Sequence, residues 1–382
     1  MLRSIDEDQG IGIYTRNLIP RLLHQDPDNE YVLVYRTPRY LGQFAAHPNA
    51  VEVLLDVPTK LLWDQVGMTW LAHRYDVDLI FHTKFSVPLV TNRPSVMTLH
   101  GSMQLVHPEY FPPLDIAYWD RFMPLYCRKA DHLISNSELT TTDFVERLGV
   151  PREKITTIHL AADDHFRPVK DAQRLEAVRR KYGLPSRFVL SVTKPFPGKN
   201  VATLIRAYAA LPPTLRSALV LVGRGLDRYI DDLQLRDPRI AHEIVTPGWV
   251  DQDDLPAIYS MAEVFAFPSR YEEFGIPIVE AMACGCPVVA SNTGAIPEVA
   301  GDAALLVDPL DVGGLAHALE SMLEDGLLRA RLRARGLERA QSFSWEVHVT
   351  RTLQVLHDVC GVPSTSRPTV RPPGIDRCSV AQ

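Results

Sequence analysis

Pro268-Ser-Arg-Tyr-Glu-Glu-Phe-Gly-Ile-Pro-Ile-Val-Glu-Ala-Met-Ala-Cys-Gly-Cys-Pro-Val-Val-Ala-Ser291 is the stretch whose reading decides the fold. The apolar run before it, Glu263-Val-Phe-Ala-Phe-Pro268, reads as a buried strand, and Cys286-Pro-Val-Val-Ala290 reads as another. Pro277 falls where a helix begins, since its ring presets φ and its missing N–H is not needed there. Gly285 falls where that helix stops. Strand, loop, short helix, strand is one turn of a parallel α/β unit. The loop Tyr271 to Ile276 therefore lies at the carboxyl end of a strand and at a helix N-terminus. Open α/β sheets bind ligands at such a place, and backbone N–H groups and the helix dipole there favour phosphate. Gly275 lets a ligand approach the backbone closely. Glu272 in the loop and Glu280 in the helix flank this turn. The apolar neighbours Ile276, Ile278, Val279, Ala281 and Met282 set Glu280 deep in a core, where an unpaired carboxylate is costly.

Glu272-Glu-Phe-Gly-Ile-Pro-Ile-Val-Glu280-Ala-Met-Ala-Cys-Gly285 resembles the signature of the retaining, nucleotide-sugar-dependent glycosyltransferases of family 4, which have the GT-B fold. The resemblance implies two Rossmann-like α/β domains, with parallel sheets, facing across a cleft. It implies that Glu280 holds the ribose hydroxyls, that Phe274, Gly275 and Ile276 contact the diphosphate and sugar, and that Glu272 faces the donor sugar.

The totals agree with such a chain. At 382 residues, two domains are the expectation. A net charge of -6 argues against a general nucleic-acid binder. No apolar run reaches the roughly 18 residues needed to span a bilayer. The five cysteines suit neither a zinc site nor a disulfide framework. Cys284 and Cys286 read as small buried residues, and a reducing cytoplasm is the default.

Near the start, Gly10-Ile-Gly-Ile-Tyr-Thr-Arg-Asn-Leu18 resembles the family's glycine loop and first helix. Gly10 and Gly12 are thereby candidate donor-binding positions, where the backbone approaches a phosphate or acceptor group. A strand should precede them, yet Asp6-Glu-Asp-Gln9 is a poor strand, so a first strand is expected to be missing. Pro20 predicts a kink in the helix that follows. Strand-like runs then alternate with helical stretches: 31–35, 51–55, 78–81, 95–99, 131–135 and 155–158. That alternation argues for a parallel sheet covered by helices. His100 ends one of these strands. With Val96-Met-Thr-Leu-His100 and His107-Pro-Glu-Tyr-Phe111 it resembles the family's N-terminal domain, where it stands near donor sugar and acceptor. The family usually has His-Asp there. This chain has His100-Gly101, which leaves open what orients the ring. Asn136 either touches ligand or caps the helix that follows.

Residues 161–170 read as an inter-domain linker. Beyond the strand 187–193 come Lys194 and Lys199, a basic pair at the family's spacing, able to meet the charge of a diphosphate leaving group. Lys194 replaces a more usual arginine, exchanging a bidentate fork for a point charge. Gly223 and Gly225 do not make a dinucleotide fingerprint. Ile244-Val-Thr-Pro-Gly-Trp-Val250, with Gly248, resembles the segment near the base. Leu255, Ile258, Tyr259 and Ala262 read as a core helix face with no chemistry.

The expected organisation is an acceptor-side domain over 1–165 and a nucleotide-sugar domain over 166–343. A helix over 344–360 returns to the first domain, and a disordered tail fills 361–382. The expected reaction moves a sugar from a nucleotide diphosphate sugar, GDP-mannose or similar, to a glycan or lipid-linked acceptor hydroxyl with retention. No Asp-x-Asp motif suggests a metal, and no cofactor is expected. A cytoplasmic protein with peripheral contact at the inner membrane face fits the resemblance. The alternatives are another GT-B enzyme, such as a sugar-nucleotide epimerase, or a catalytically disabled carbohydrate-binding or scaffold protein.

Overall fold

The structure is a computed structural model that describes residues 5, 10–235, 237–361 and, as backbone, 376–379. The chain divides into two compact units, one of Met1–Leu160 with Trp345–Gln382, the other of Ala161–Ser344.

The second unit is built on six strands: β7 (Phe188–Val192), β8 (Ala218–Val222), β9 (Ile244–Gly248), β10 (Val264–Phe267), β11 (Val288–Ser291) and β12 (Ala304–Val307). All pair in parallel, in the order β12-β11-β10-β7-β8-β9. This is the doubly wound order, which reverses direction between its first strand, β7, and its fourth, β10. Every residue of β10 and of β11 is buried. That is why both strands read as unbroken apolar runs: helices cover both faces of a parallel sheet. Leu204, Tyr208, Leu221, Leu319 and Met322 lie in the core on one face.

The helix Ile276–Ala283 follows β10 with Pro277 in its first turn, and Gly285 has φ +71° just beyond its end. Residues 278–282 are all buried, Glu280 among them. Full burial of each large apolar side chain here contributes roughly 1.5–3 kcal/mol. Cys284 and Cys286 are buried and unbridged, packed as small core residues.

In the first unit β1 (Tyr31–Tyr35) pairs in parallel with β2 (Ala50–Asp56). A separate sheet runs β3 (Ile80–His82), β4 (Ser95–Leu99), β5 (His132–Ser135), β6 (Ile155–Thr157), also parallel. Among the described residues no strand joins the two sheets. Residues 1–9, where a first strand was expected to be missing, lie outside the described residues except Ile5, which is buried with Ile19, Leu23, Leu33 and Tyr35. The helix Ile11–Gln25 runs on through Pro20. The long helix Trp345–Cys360 belongs to this unit.

One expectation is corrected. Within the tail read as disordered, Asp376–Ser379 form β13, a strand parallel to β2. An edge strand presents unpaired backbone groups that accept an extended segment of almost any composition, so composition does not reveal such pairing. The rest of that tail lies outside the described residues.

Candidate active site

The reversal of strand order in the second unit brings the ends of β7 and β10 side by side. The β7 loop carries Lys194 and Lys199, and the β10 loop carries Glu272. Lys199 Nζ donates to Glu272 Oε1 at 2.5 Å, although the two stand 73 positions apart. Both side chains are largely shielded, the lysine 20% and the glutamate 10% exposed. Lys199 also lies 5.3 Å over the Phe267 ring. Lys194 rests near the Phe196 ring, and its pKa is lowered, first by withdrawal from water and then by the Lys199 charge. Two ammonium groups thus share this corner with the Glu272 carboxylate, and the Glu273 charge also reaches Lys194.

Asn200 holds the corner together. It sits at φ +57°, a left-handed conformation that asparagine tolerates better than most residues. Its Nδ2 donates to the carbonyls of Pro268 and Pro309 at 2.9 and 2.6 Å, and its Oδ1 accepts from Thr203 Oγ1 at 2.8 Å. The residue after Lys199 therefore staples the β7 loop to the segments after β10 and β12. Gly294 supports the other side. Its φ is +62°, and a Cβ there would lie 2.6 Å from the Glu272 carbonyl oxygen. The N–H of Ala295 donates to that same oxygen at 2.9 Å.

Gly275 begins the helix at φ +101°, and no side chain caps this end. The Phe274 ring is buried edge-on against Phe343, with centroids 5.6 Å apart, which anchors the loop. Ile276 is half-buried in the first turn. Gly248 ends β9 at φ +76°, with Trp249 next to it stacked on Arg224 at 4.5 Å.

Glu280 lies one turn into the helix. Burial pushes its pKa up to about 7, against the hydrogen bond from Tyr259 and the charge of His165, which lower it. Tyr259 OH donates to Glu280 Oε2 at 3.0 Å. Sequence reasoning missed this contact, because Tyr259 falls on the apolar face of its helix and its hydroxyl has no periodicity to betray it.

The first unit holds the other candidates. His100 Nε2 donates to the Thr83 carbonyl at 2.6 Å, which fixes the tautomer and leaves Nδ1 as an acceptor. The Tyr14 ring packs edge-on at 4.7 Å. These contacts orient the ring with no neighbouring aspartate. Withdrawal from water lowers the His100 pKa to about 4, so the ring is neutral near pH 7. Asn136 does not cap the following helix; Ser137 does, accepting from the Thr140 N–H at 3.1 Å. Asn136 Nδ2 instead donates to the His100 carbonyl at 2.9 Å. Gly10 precedes the helix Ile11–Gln25 at φ +53° with open space where a Cβ would stand, whereas Gly12 is buried within it. Among the described residues no group of three or more His, Cys, Asp or Glu is placed to hold a metal ion.

A doubly wound domain with lysines and carboxylates at its switch point suits a nucleotide ligand, as in the class of sugar-transferring enzymes of GT-B fold. The comparisons place the chain within it. Residues 9–166 match Glycosyltransferase Family 4, residues 176–339 match Glycosyl transferases group 1, and the chain belongs to this glycosyltransferase family. It is similar to the O-antigen chain mannosyltransferase B of Escherichia coli, 36% identical over 74% of this chain and 75% of that one. It also resembles the serotype-specific mannosyltransferase WbdA of Escherichia coli, 31% identical over 57% of this chain but only 27% of that longer protein. Among solved structures it resembles Anabaena Alr3699/HepE in complex with UDP-glucose, with TM-score 0.68 and 22% identity over 86% of this chain and 99% of that one. The protein is a hexosyltransferase that transfers a sugar to an acceptor.

Proposed function

We propose that this enzyme transfers mannose from a nucleoside diphosphate sugar, GDP-mannose or a close analogue, to a hydroxyl of a glycan or lipid-linked acceptor with retained configuration. The observation that carries the reading is the Lys199–Glu272 pair beside Lys194 at the uncapped start of the helix Ile276–Ala283. In the transfer the bond from the anomeric carbon to the β-phosphate oxygen breaks, and its electron pair leaves with the diphosphate. The acceptor oxygen bonds the anomeric carbon on the same face and gives its proton to the departing phosphate oxygen. Lys199, Lys194 and the helix N-terminus neutralise the charge that develops. This reading calls for no metal. Glu280 accepts from the ribose hydroxyls. The mannosyl assignment is supported by the names of the Escherichia coli relatives.

Thermal shift against GDP, UDP and ADP, with and without their sugars, checks the donor. Stabilisation by the guanine nucleotides, rising with concentration as mass action requires, is the expected result. Release of GDP from GDP-mannose should then depend on an acceptor glycan and persist in EDTA. Donor binding without any turnover would overturn the reading.

An exposed apolar patch on the first unit supports peripheral contact with a lipid surface. Leu61, Leu62, Val66 and Trp70 are exposed along residues 60–74, with Lys60 and Arg74 at the two ends. Gln65 bonds the backbone of Val87 and Leu89, which sets exposed Val90 beside them. Lys60 lies 5.0 Å over Tyr118, bringing exposed Leu114 close. Among the described residues no helix is long and apolar enough to cross a membrane. An apolar face flanked by cationic groups suits the interface plane. The chain is expected to co-sediment with phosphatidylglycerol vesicles and Val66→Asp with Trp70→Asp to remain in the supernatant; equal partitioning would remove the membrane assignment.

A further inference from the structure

The ribose reading of Glu280 leaves a physical problem. A carboxylate with its helix neighbours 278–282 all buried must be kept ionised and aimed, or it cannot accept from two hydroxyls at once. We infer that Tyr259 is the positioning residue for this site, its hydroxyl holding Oε2 of Glu280 so that the remaining acceptor positions of the carboxylate are presented to the ribose of a nucleoside diphosphate sugar. The inference rests on the proposed role of Glu280 and assigns to Tyr259 a task of its own.

Three observations carry it. The first is geometry. Tyr259 OH donates to Oε2 at 3.0 Å, and among the described residues it is the side-chain donor to this carboxylate. The second is rigidity. Tyr259 is fully buried, packed edge-on against Phe265 at 5.3 Å and against Phe166 at 6.1 Å. A ring held on two sides gives its hydroxyl one position, which makes the carboxylate's orientation a property of the helix Leu255–Met261 and not of the flexible glutamate stem. The third is charge state. Burial, with the Glu280 charge next, raises the phenol well above its usual pKa, so Tyr259 remains a donor at any working pH. Burial acts in the same direction on Glu280, favouring its neutral form, and the tyrosine hydrogen bond is the larger of the influences that hold the carboxylate ionised. The other titratable groups facing it are His165, which favours ionisation, Asp163, which opposes it, and Cys284 on its own helix.

The sign of the pH dependence follows. Ribose recognition needs the carboxylate, so nucleotide affinity falls as pH drops through the Glu280 pKa, near 7. Removing the tyrosine hydroxyl raises that pKa, and the fall then begins at higher pH. Tyr259→Phe keeps the ring and its packing while deleting the donor.

The experiment measures affinity of the full chain for GDP, UDP and ADP and for their 2′,3′-dideoxy counterparts from pH 6 to 9, in wild type, Tyr259→Phe, Glu280→Gln and the double variant. The expected wild type prefers the ribose form by about tenfold or more, the worth of a hydrogen-bonded charged acceptor. In Tyr259→Phe the preference shrinks severalfold at pH 7 and returns as pH rises. On the Glu280→Gln background the tyrosine change has no further effect on the preference, as expected if it acts through the glutamate. A Tyr259→Phe variant with the wild-type preference and pH profile overturns the inference alone. So does an equal loss for ribose and dideoxy forms, which marks a packing role. A wild type that binds nucleotide but ignores the ribose hydroxyls overturns the ribose role of Glu280, and the inference with it.

Discussion

Lys199→Ala lowers kcat by a factor of about 10²–10³, the usual worth of one group that stabilises developing charge on a leaving group. The lysine acts on charge that appears as the diphosphate departs, so kcat and kcat/KM fall together. The change also strands Glu272, whose side chain is 10% exposed, by removing the partner 2.5 Å away. Leaving a largely buried carboxylate without that partner costs about 1–3 kcal/mol. Urea denaturation should therefore show a lower midpoint alongside the kinetic loss. Lys199→Met combined with Glu272→Gln removes both charges, and it should recover most of the stability while staying slow. Steady-state kinetics with the nucleotide sugar that supports turnover separate the two effects. A kcat unchanged in Lys199→Ala would exclude this lysine from leaving-group stabilisation.

Gly294→Ala disables the enzyme from behind the site. The glycine stands at φ +62°, where a side chain costs roughly 1–2 kcal/mol. An added Cβ would meet the backbone of Glu272 at 2.6 Å from its oxygen and 2.8 Å from its nitrogen. Backbone cannot swing aside as a side-chain tip can, so overpacking adds about 1–3 kcal/mol. The segment that yields is the one carrying Glu272, and a displacement near 1 Å at a reacting group costs about 10²-fold in rate. Gly149→Ala is the control. It has a similar φ, +64°, with nothing within 4 Å of the added atom, so it should lose only the conformational part and keep its rate. Equal behaviour of the two variants in denaturation and kinetics would remove the close contact from the explanation.

Much of this molecule is local in origin and was legible for that reason. The apolar runs that became β7, β8, β10 and β11 announce themselves because a strand buried on both faces has no polar alternation. The helix over 276–283 is bounded by proline and glycine for reasons of backbone geometry, and the signature around Glu272 and Glu280 carries the family resemblance unaided. Other features were hidden. Tyr259 reads as core, since its ring is core and only the hydroxyl does more. Phe274 lies inside the signature, and the packing of its ring on Phe343 is not visible there. Asn136 and Ser137 are both plausible caps by type, and the choice depends on where the His100 carbonyl lies, 36 positions away.

By itself the sequence determined the alternation of strands and helices, the place of a ligand-binding loop at a strand end, and membership in a glycosyltransferase family. Each depends on side-chain periodicity, on glycine and proline, or on a contiguous motif. Tertiary structure alone decided which loops share the site. Strand order is set by long-range packing, and only the pairing of β7 with β10 brings Lys199 to Glu272. The Tyr259–Glu280 contact has the same origin. Two buried groups meet because two helices pack together, and neither helix records the other in its own periodicity.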